Sequence, residues 1–204
     1  MIKILDNAIP LYYQDFIEDY ITGVEKTKSN NETNKYFSLE FCGNISTGIP
    51  PFRKNEMGFG KTFFTNNKMN EYAAPLMFPL YHILNSKNII PRYILEARTF
   101  FMMPNGEKSF IQNPHKDKHI PHMSLLYYVR GEDGDTVFYN KGLTPQEYNT
   151  HNKEAVKNLQ ENHIKKRVTP KKGRAILFDG NIWHSGSTPE KDIRIVLNLS
   201  LIHI

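Results

Sequence analysis

The sequence of 204 residues has 26 lysines and arginines against 21 aspartates and glutamates, a net charge of +5, with 39% hydrophobic residues. This composition is typical of one globular domain and excludes a disordered or collagen-like chain. No apolar run approaches the roughly 20 residues that a membrane span needs, and the first residues contain no stretch of signal-peptide length. Cys42 is the only cysteine, which excludes an internal disulfide, and we expect a cytoplasmic protein outside the membrane.

The first third of the chain predicts helices and loops. Apolar residues recurring every three or four positions predict an amphipathic helix over 12–28. Residues 29–70 are rich in Asn, Gly, Lys and Thr, which predicts loops with short strands. A second, shorter helix is predicted over 76–84, with Pro75 and Pro79 limiting where it can begin.

From about residue 91 the pattern changes to short strands separated by turns. Strands are predicted at 92–101, 122–129, 136–139, 164–168, 174–178 and 193–201. Thr144 and Glu147 form a capping box at the start of a polar helical insertion over about 141–163. Many short strands that follow helices predict a mainly β fold, an antiparallel sandwich or barrel with flanking α-helices and an N-terminal helical layer.

The segment around His115 carries the clearest chemical signal. Residues two apart on an extended strand point the same way, so His115 and Asp117 present an imidazole and a carboxylate to one place. His184 is the candidate third ligand from a distant segment. Two histidines and one carboxylate on one face of a metal are typical of non-haem Fe(II) sites, with positions left open for a co-substrate and oxygen. The alternative is a surface turn and an ordinary buried histidine.

A later strand adds a candidate anion site. Its alternation places Arg194 and Asn198 on one face. A buried arginine needs an anion, because an unpaired buried charge is costly. A dicarboxylate bound through two hydrogen bonds would satisfy Arg194, and so would a salt bridge to Asp117 or Asp179.

At these residues the sequence resembles the Fe(II)/2-oxoglutarate-dependent dioxygenases, especially the prolyl-4-hydroxylase-like branch of bacteria and phages. The resemblance covers about 92–204 and the opening 1–10. Its strongest parts are 114–117, 121–129, 133–139, 177–187 and Arg194. It implies a double-stranded β-helix, or jelly roll, in a single domain of residues 1–204. Residues 1–90 would support a core of 91–204.

The resemblance also implies a site and a reaction. His115, Asp117 and His184 would be the iron ligands, and Arg194 would clamp the distal carboxylate of 2-oxoglutarate. O2 would be consumed, 2-oxoglutarate would yield succinate and CO2, and a peptide side chain or small metabolite would be hydroxylated. Asp117 argues against a halogenase, since halogenating relatives lack that carboxylate. Nucleic-acid demethylases carry a second arginine shortly after the clamp, which residues 195–200 lack, so we do not expect a nucleic-acid substrate.

Other residues are weaker candidates. Tyr128, Arg98 and Asn198 are candidates for binding the co-substrate, with core packing or strand polarity as the alternative. His122 and Trp183 are candidates for lining the substrate pocket. Basic residues between 165 and 174 are a candidate patch for an acidic partner, although solvated strands explain them better. The second hypothesis for the whole chain is a non-catalytic jelly-roll module that binds a metal or another ligand.

Overall fold

Antiparallel strands dominate the part of the chain that the structure describes, and the two described helices precede most of them. The computed structural model describes residues 1–23, 39–42, 58–104, 111–112, 114–142 and 161–203. The described elements are, in chain order, β1 (Ile2–Leu5), α1 (Leu11–Thr22), β2 (Glu40–Cys42), β3 (Gly58–Thr65), β4 (Lys68–Met69), α2 (Ala73–Asn85), β5 (Pro91–Met102), β6 (Met123–Arg130), β7 (Thr136–Tyr139), β8 (Ile164–Val168), β9 (Ala175–Asp179), β10 (His184–Gly186) and β11 (Arg194–His203).

The described strands form two sheets. The larger sheet has the order β1-β9-β6-β11-β5-β3-β2, with β4 paired to β3, and the smaller sheet has the order β10-β7-β8. Strand β11 lies between β5 and β6 and is antiparallel to both. The fold is therefore mainly β with helices from the N-terminal part of the chain, which confirms the predicted class.

The larger sheet buries a different core on each face, because successive side chains of a strand point to opposite sides. One face packs Leu197 and Leu199 of β11 against Ile17 of α1 and Leu80 of α2. The opposite face packs Val196, Leu126 and Ile176 against Phe138 of the smaller sheet. The sheet thus lies between the helices and the smaller sheet.

Helix α1 ends one residue before Gly23, which adopts the left-handed conformation at φ 70°. Glycine is the common residue at this position because it has no Cβ to clash. The rest of the predicted helix, 24–28, lies outside the described residues.

Helix α2 begins at Ala73, earlier than predicted, because Pro75 fits the first turn, where N–H groups have no helical partner. Pro79 lies inside the helix and has no N–H to donate to the carbonyl of Pro75. The Tyr13 hydroxyl of α1 instead lies 3.3 Å from that carbonyl and donates to it. The two helices are therefore linked at the point where the proline removes a helical bond.

The predicted strands are found with boundaries shifted by at most two residues, and those at 136–139 and 164–168 match. Residues 143–160 of the predicted insertion, with its capping box, lie outside the described residues, while Glu161 and Asn162 are helical. Neither described helix is long and apolar enough to cross a membrane.

Candidate metal centre and adjoining cavity

Backbone pairing brings the two candidate histidines together. His115 and His184 form an isolated antiparallel bridge, in which each N–H donates to the carbonyl of the other at 2.8 and 3.0 Å. A second bridge joins Ile111 to Ser187. The segment before Asp117 is therefore held along β10, although the two are far apart in sequence.

The side chains of His115, Asp117 and His184 converge. Their possible ligand atoms all lie within 4.8 Å of one another. Asp117 Oδ2 is 3.6 Å from His184 Nε2, and Asp117 Oδ1 is 3.9 Å from His115 Nε2. His184 Nδ1 lies 3.0 Å from the Ile182 carbonyl, which leaves Nε2 for a ligand. The three predicted side chains thus form a group that could bind a metal ion.

Three donors surround the Asp117 carboxylate. Arg98 Nη2 donates to Oδ1 at 2.8 Å, while Ser124 Oγ and Asn198 Nδ2 donate to Oδ2 at 3.3 and 3.2 Å. Burial would raise the pKa of Asp117, but His184, Arg98 and His115 outweigh it and hold the pKa well below its usual range. The side chain is 1% exposed and ionised. An ionised carboxylate between two imidazoles is a donor set that suits a divalent transition metal.

Arg98 and Asn198 were predicted to touch the co-substrate, and the structure places both against Asp117. They face each other across β5 and β11. Glu96 Oε2 lies 3.6 Å from Arg98 Nη1 and accepts from Lys118 at 2.8 Å, which fixes the guanidinium from its other side. The contact of Ser124 with Asp117 was not predicted from the sequence. The one indication was a serine within an otherwise apolar strand.

A cavity of about 80 Å³ adjoins the candidate metal group. Its polar lining includes Arg98, Gln112, Asp117, His184, Arg194 and Asn198, and its apolar lining includes Phe100, Leu126, Phe178 and Val196. The residues that line the cavity come from both sheets, so it lies where the inter-sheet core gives way to polar side chains.

Arg194 is 3% exposed and forms no ion pair with any described carboxylate. The alternative of a salt bridge to Asp117 or Asp179 is therefore wrong. Its Nη2 donates to Thr136 Oγ1 at 2.7 Å, its Nη1 lies 2.8 Å from Met102 Sδ, and its Nε has no partner among the described residues. A buried cation without a counter-ion is costly, so this geometry favours an anionic ligand.

Tyr128 lies behind Thr136 rather than on the cavity wall. Its hydroxyl is 2.6 Å from Thr136 Oγ1, and its ring is 5.5 Å from the Arg194 guanidinium. Burial raises the pKa of Tyr128, and the nearby Arg194 and Thr136 oppose part of that shift. Tyr128 acts on the cavity through Thr136, whose place between the tyrosine and Arg194 was not foreseen in the sequence.

The two predicted pocket-lining residues lie elsewhere. The buried ring of His122 packs against Gly180, and its Nδ1 is 2.8 Å from the Ile120 carbonyl. Trp183 is half-buried, packs against Gly142 and has Lys116 Nζ 5.2 Å from its ring centre. Neither side chain lines this cavity.

Comparison with known proteins gives a likeness of fold. No family model matches the sequence, and no curated protein is similar to it in sequence. An oxidoreductase of the 2OG-Fe(II) oxygenase family from Burkholderia pseudomallei matches with a TM-score of 0.62 at 10% identity, over 98% of this chain and 84% of that one.

Two further structures carry ligands. HygX from Streptomyces hygroscopicus, with nickel, 2-oxoglutarate and hygromycin B bound, has a TM-score of 0.57 at 10% identity, over 98% of this chain and 81% of that one. A prolyl hydroxylase from Trichoplax adhaerens, in complex with a peptide fragment of the hypoxia-inducible factor oxygen degradation domain, has a TM-score of 0.55 at 13% identity, over 98% and 83%. The chain therefore has the fold of the 2-oxoglutarate-dependent oxygenases, and the predicted jelly roll is confirmed.

Proposed function

We propose that this chain is an Fe(II)- and 2-oxoglutarate-dependent dioxygenase that hydroxylates a small metabolite or a peptide side chain. One observation carries the proposal. His115, Asp117 and His184 converge within 4.8 Å beside a cavity that is also lined by Arg194, a buried cation without a described carboxylate partner. All four residues lie in 91–204, so residues 1–90 would support the site within one domain.

The metal would be held by His115, Asp117 and His184. When bound, iron and 2-oxoglutarate supply the oxidation, in which O2 is consumed, succinate and CO2 form and the substrate is hydroxylated. The protein keeps the ligands oriented. Arg98 holds the carboxylate of Asp117, and the Ile182 carbonyl fixes the ring of His184. Such contacts to ligating side chains commonly change metal affinity or activity by roughly 10–100-fold.

The 2-oxo acid would be held at its distal carboxylate by Arg194 and Thr136. The guanidinium is already bonded to Thr136, so it is oriented before the acid arrives. Charge-assisted hydrogen bonds of this kind are about twice as strong as neutral ones. The apolar walls, including Phe178 and Val196, exclude water from the same space.

Two fold neighbours support the proposed substrate classes. One of them was solved with hygromycin B, and another was solved with a peptide. We therefore keep both a small molecule and a peptide side chain as substrates. Because Asp117 provides a carboxylate to the metal group, the reaction is hydroxylation rather than halogenation.

The test is the release of succinate from 2-oxoglutarate by the full chain with Fe(II) in air. We expect release that requires the metal and falls to background in His115→Ala and Asp117→Ala. His119→Ala is the matched control, because His119 is exposed and outside the cavity. Equal release from the wild type and both site variants would contradict the proposal. Binding of metal and 2-oxoglutarate without any release would favour the non-catalytic module.

A further inference from the structure

Several buried polar atoms without partners lie at the cavity. Among the described residues, eight buried side-chain nitrogen or oxygen atoms lack a hydrogen bond. Three of them belong to the cavity-lining residues Gln112, Arg194 and Asn198. Buried polar groups in folded proteins are nearly always satisfied, so an unsatisfied group at a cavity points to a ligand that satisfies it.

Of these three residues, Gln112 is the one whose side chain has no role in the site described above. It is 4% exposed, and its side-chain Nε2 has no hydrogen-bond partner among the described residues. Its backbone, in contrast, is fixed. The Gln112 N–H donates to the Gly186 carbonyl at 2.9 Å, between the bridge of Ile111 with Ser187 and the bridge of His115 with His184. The backbone of Gln112 is therefore fixed, while its side-chain Nε2 is available to a ligand.

The Gln112 carboxamide and the Arg194 guanidinium approach the same point. A Cβ atom placed on Gly186 would lie 2.7 Å from Arg194 Nη1 and 3.1 Å from Gln112 Oε1. Glycine at 186 thus keeps open the space that both groups border. A rotation of 180° about the last side-chain bond exchanges Oε1 and Nε2, so the amide can turn a donor toward an anion there.

We propose that Gln112 donates from Nε2 to the distal carboxylate of the 2-oxo acid, beside Arg194, and thereby selects dicarboxylic over monocarboxylic 2-oxo acids. This inference rests on the proposed function. A carboxylate has two oxygens and about four acceptor sites, more than one guanidinium already bonded to Thr136 satisfies. A neutral amide adds a donor without adding a second buried charge.

Calorimetry with two acids of equal chain length tests this role. The probes are 2-oxoglutarate and 2-oxopentanoate, which lacks the distal carboxylate, each titrated into the full chain loaded with Mn²⁺. The variants are Gln112→Leu, which removes the donor, and Gln112→Glu, which keeps the shape but places a negative charge beside the carboxylate. Gln14→Leu is the matched control. Gln14 is also a buried glutamine, but it donates to the Ile9 carbonyl at 2.9 Å and does not line the cavity.

We expect Gln112→Leu to weaken 2-oxoglutarate binding by roughly tenfold, since one hydrogen bond to a charged group is lost. Gln112→Glu should weaken it by roughly 100-fold, because like charges are brought together. Binding of 2-oxopentanoate should change by less than about threefold in either variant, since the missing carboxylate is the proposed partner. Gln14→Leu should leave the ratio of the two affinities unchanged.

Two results overturn the inference. If the wild type binds 2-oxoglutarate and both Gln112 variants keep its preference over 2-oxopentanoate, Gln112 does not contact the distal carboxylate and the proposed function stands. If the wild type does not bind 2-oxoglutarate, the proposed function fails together with the inference. Circular dichroism of each variant shows whether it is folded, and Gln112→Glu provides the measurement if Gln112→Leu does not fold.

Discussion

The two faces of strand β11 bury different kinds of side chain. On the helix side, Leu197 and Leu199 are fully buried among aliphatic side chains of α1 and α2. On the cavity side, Arg194 and Asn198 are nearly as buried, yet each has a polar atom with no partner in the described residues. One face gains stability from apolar burial, and the other gives up some stability by burying polar atoms that lack partners among the described residues. Similar burial therefore has opposite effects on stability on the two faces of β11.

The largest effect on folding is expected on the helix side. Leu197→Ala should lower the free energy of unfolding by about 2–5 kcal/mol, since it removes a fully buried side chain and leaves a cavity. Urea denaturation measures this loss. Binding of 2-oxoglutarate to the folded fraction should persist, because the side chain points away from the cavity. If Leu197→Ala lost 2-oxoglutarate binding but kept its free energy of unfolding, the proposed difference between the two faces of β11 would be wrong.

The matching change on the cavity side is Arg194→Met. It should weaken 2-oxoglutarate binding by roughly 100-fold, the effect of losing a charge-assisted pair. The free energy of unfolding should stay the same or rise, because a buried cation with no described counter-ion is replaced by an apolar side chain of similar length. Denaturation and calorimetry on the same samples check both effects. A strongly destabilised variant would show that Arg194 is a structural residue.

A smaller effect is expected at Arg98. Arg98→Met removes the 2.8 Å bond to Asp117 Oδ1 and should reduce metal affinity by roughly 10–100-fold. Arg98→Lys should recover part of that loss, because an ammonium group restores one donor and the charge. Competition between the protein and a metal chelator gives the affinities. An unchanged metal affinity in Arg98→Met would indicate that Arg98 contacts the substrate instead of supporting the metal ligand Asp117.

The smallest effect is expected far from the cavity, at the ion pair between Asp6 and Arg174. A hydrogen bond from Arg174 holds the pKa of Asp6 below its usual value, so the pair stabilises the fold above the ordinary carboxyl pKa of about 4. That stabilisation is lost as the pH falls through the lowered value. Because Asp6 is half exposed, Asp6→Asn should cost at most about 1 kcal/mol at pH 7. The difference from the wild type should shrink toward zero as the pH falls below the lowered pKa of Asp6, as measured by denaturation across pH.

The sequence predicted the strands well, because they depend on local patterns. His184 is distant in sequence from His115 and Asp117, and the resemblance to the dioxygenases, rather than a local pattern, implied it as the third ligand. Alternation placed His115 with Asp117 and Arg194 with Asn198. The roles of Thr136, Ser124 and Gln112 could not be predicted, since they depend on which strands pair and in what register. Arg98 shows the same limit. Its strand was predicted, but its contact with Asp117 follows from the pairing of β5 with β11 and from the path of the segment before β6.

The start of helix α2 was predicted too late for a different reason. The sequence pattern treated Pro75 and Pro79 as limits on where the helix begins, but the helix begins at Ala73, before both prolines. The pattern could not show that Pro75 fits the first turn, or that the Tyr13 hydroxyl would use the carbonyl that Pro79 leaves without its helical donor. Tertiary packing in this case outweighs local propensity.

We propose that the three converging side chains hold one iron ion to which a 2-oxo acid also binds. An anaerobic titration of Fe(II) into the protein with 2-oxoglutarate, followed by visible absorption, tests it most directly, because chelation of Fe(II) by a 2-oxo acid produces a charge-transfer band. We expect a band that saturates at one iron per chain and is absent from His184→Ala and Asp117→Ala. A wild-type spectrum identical to that of protein-free buffer, or equal bands in the wild type and both variants, would contradict it.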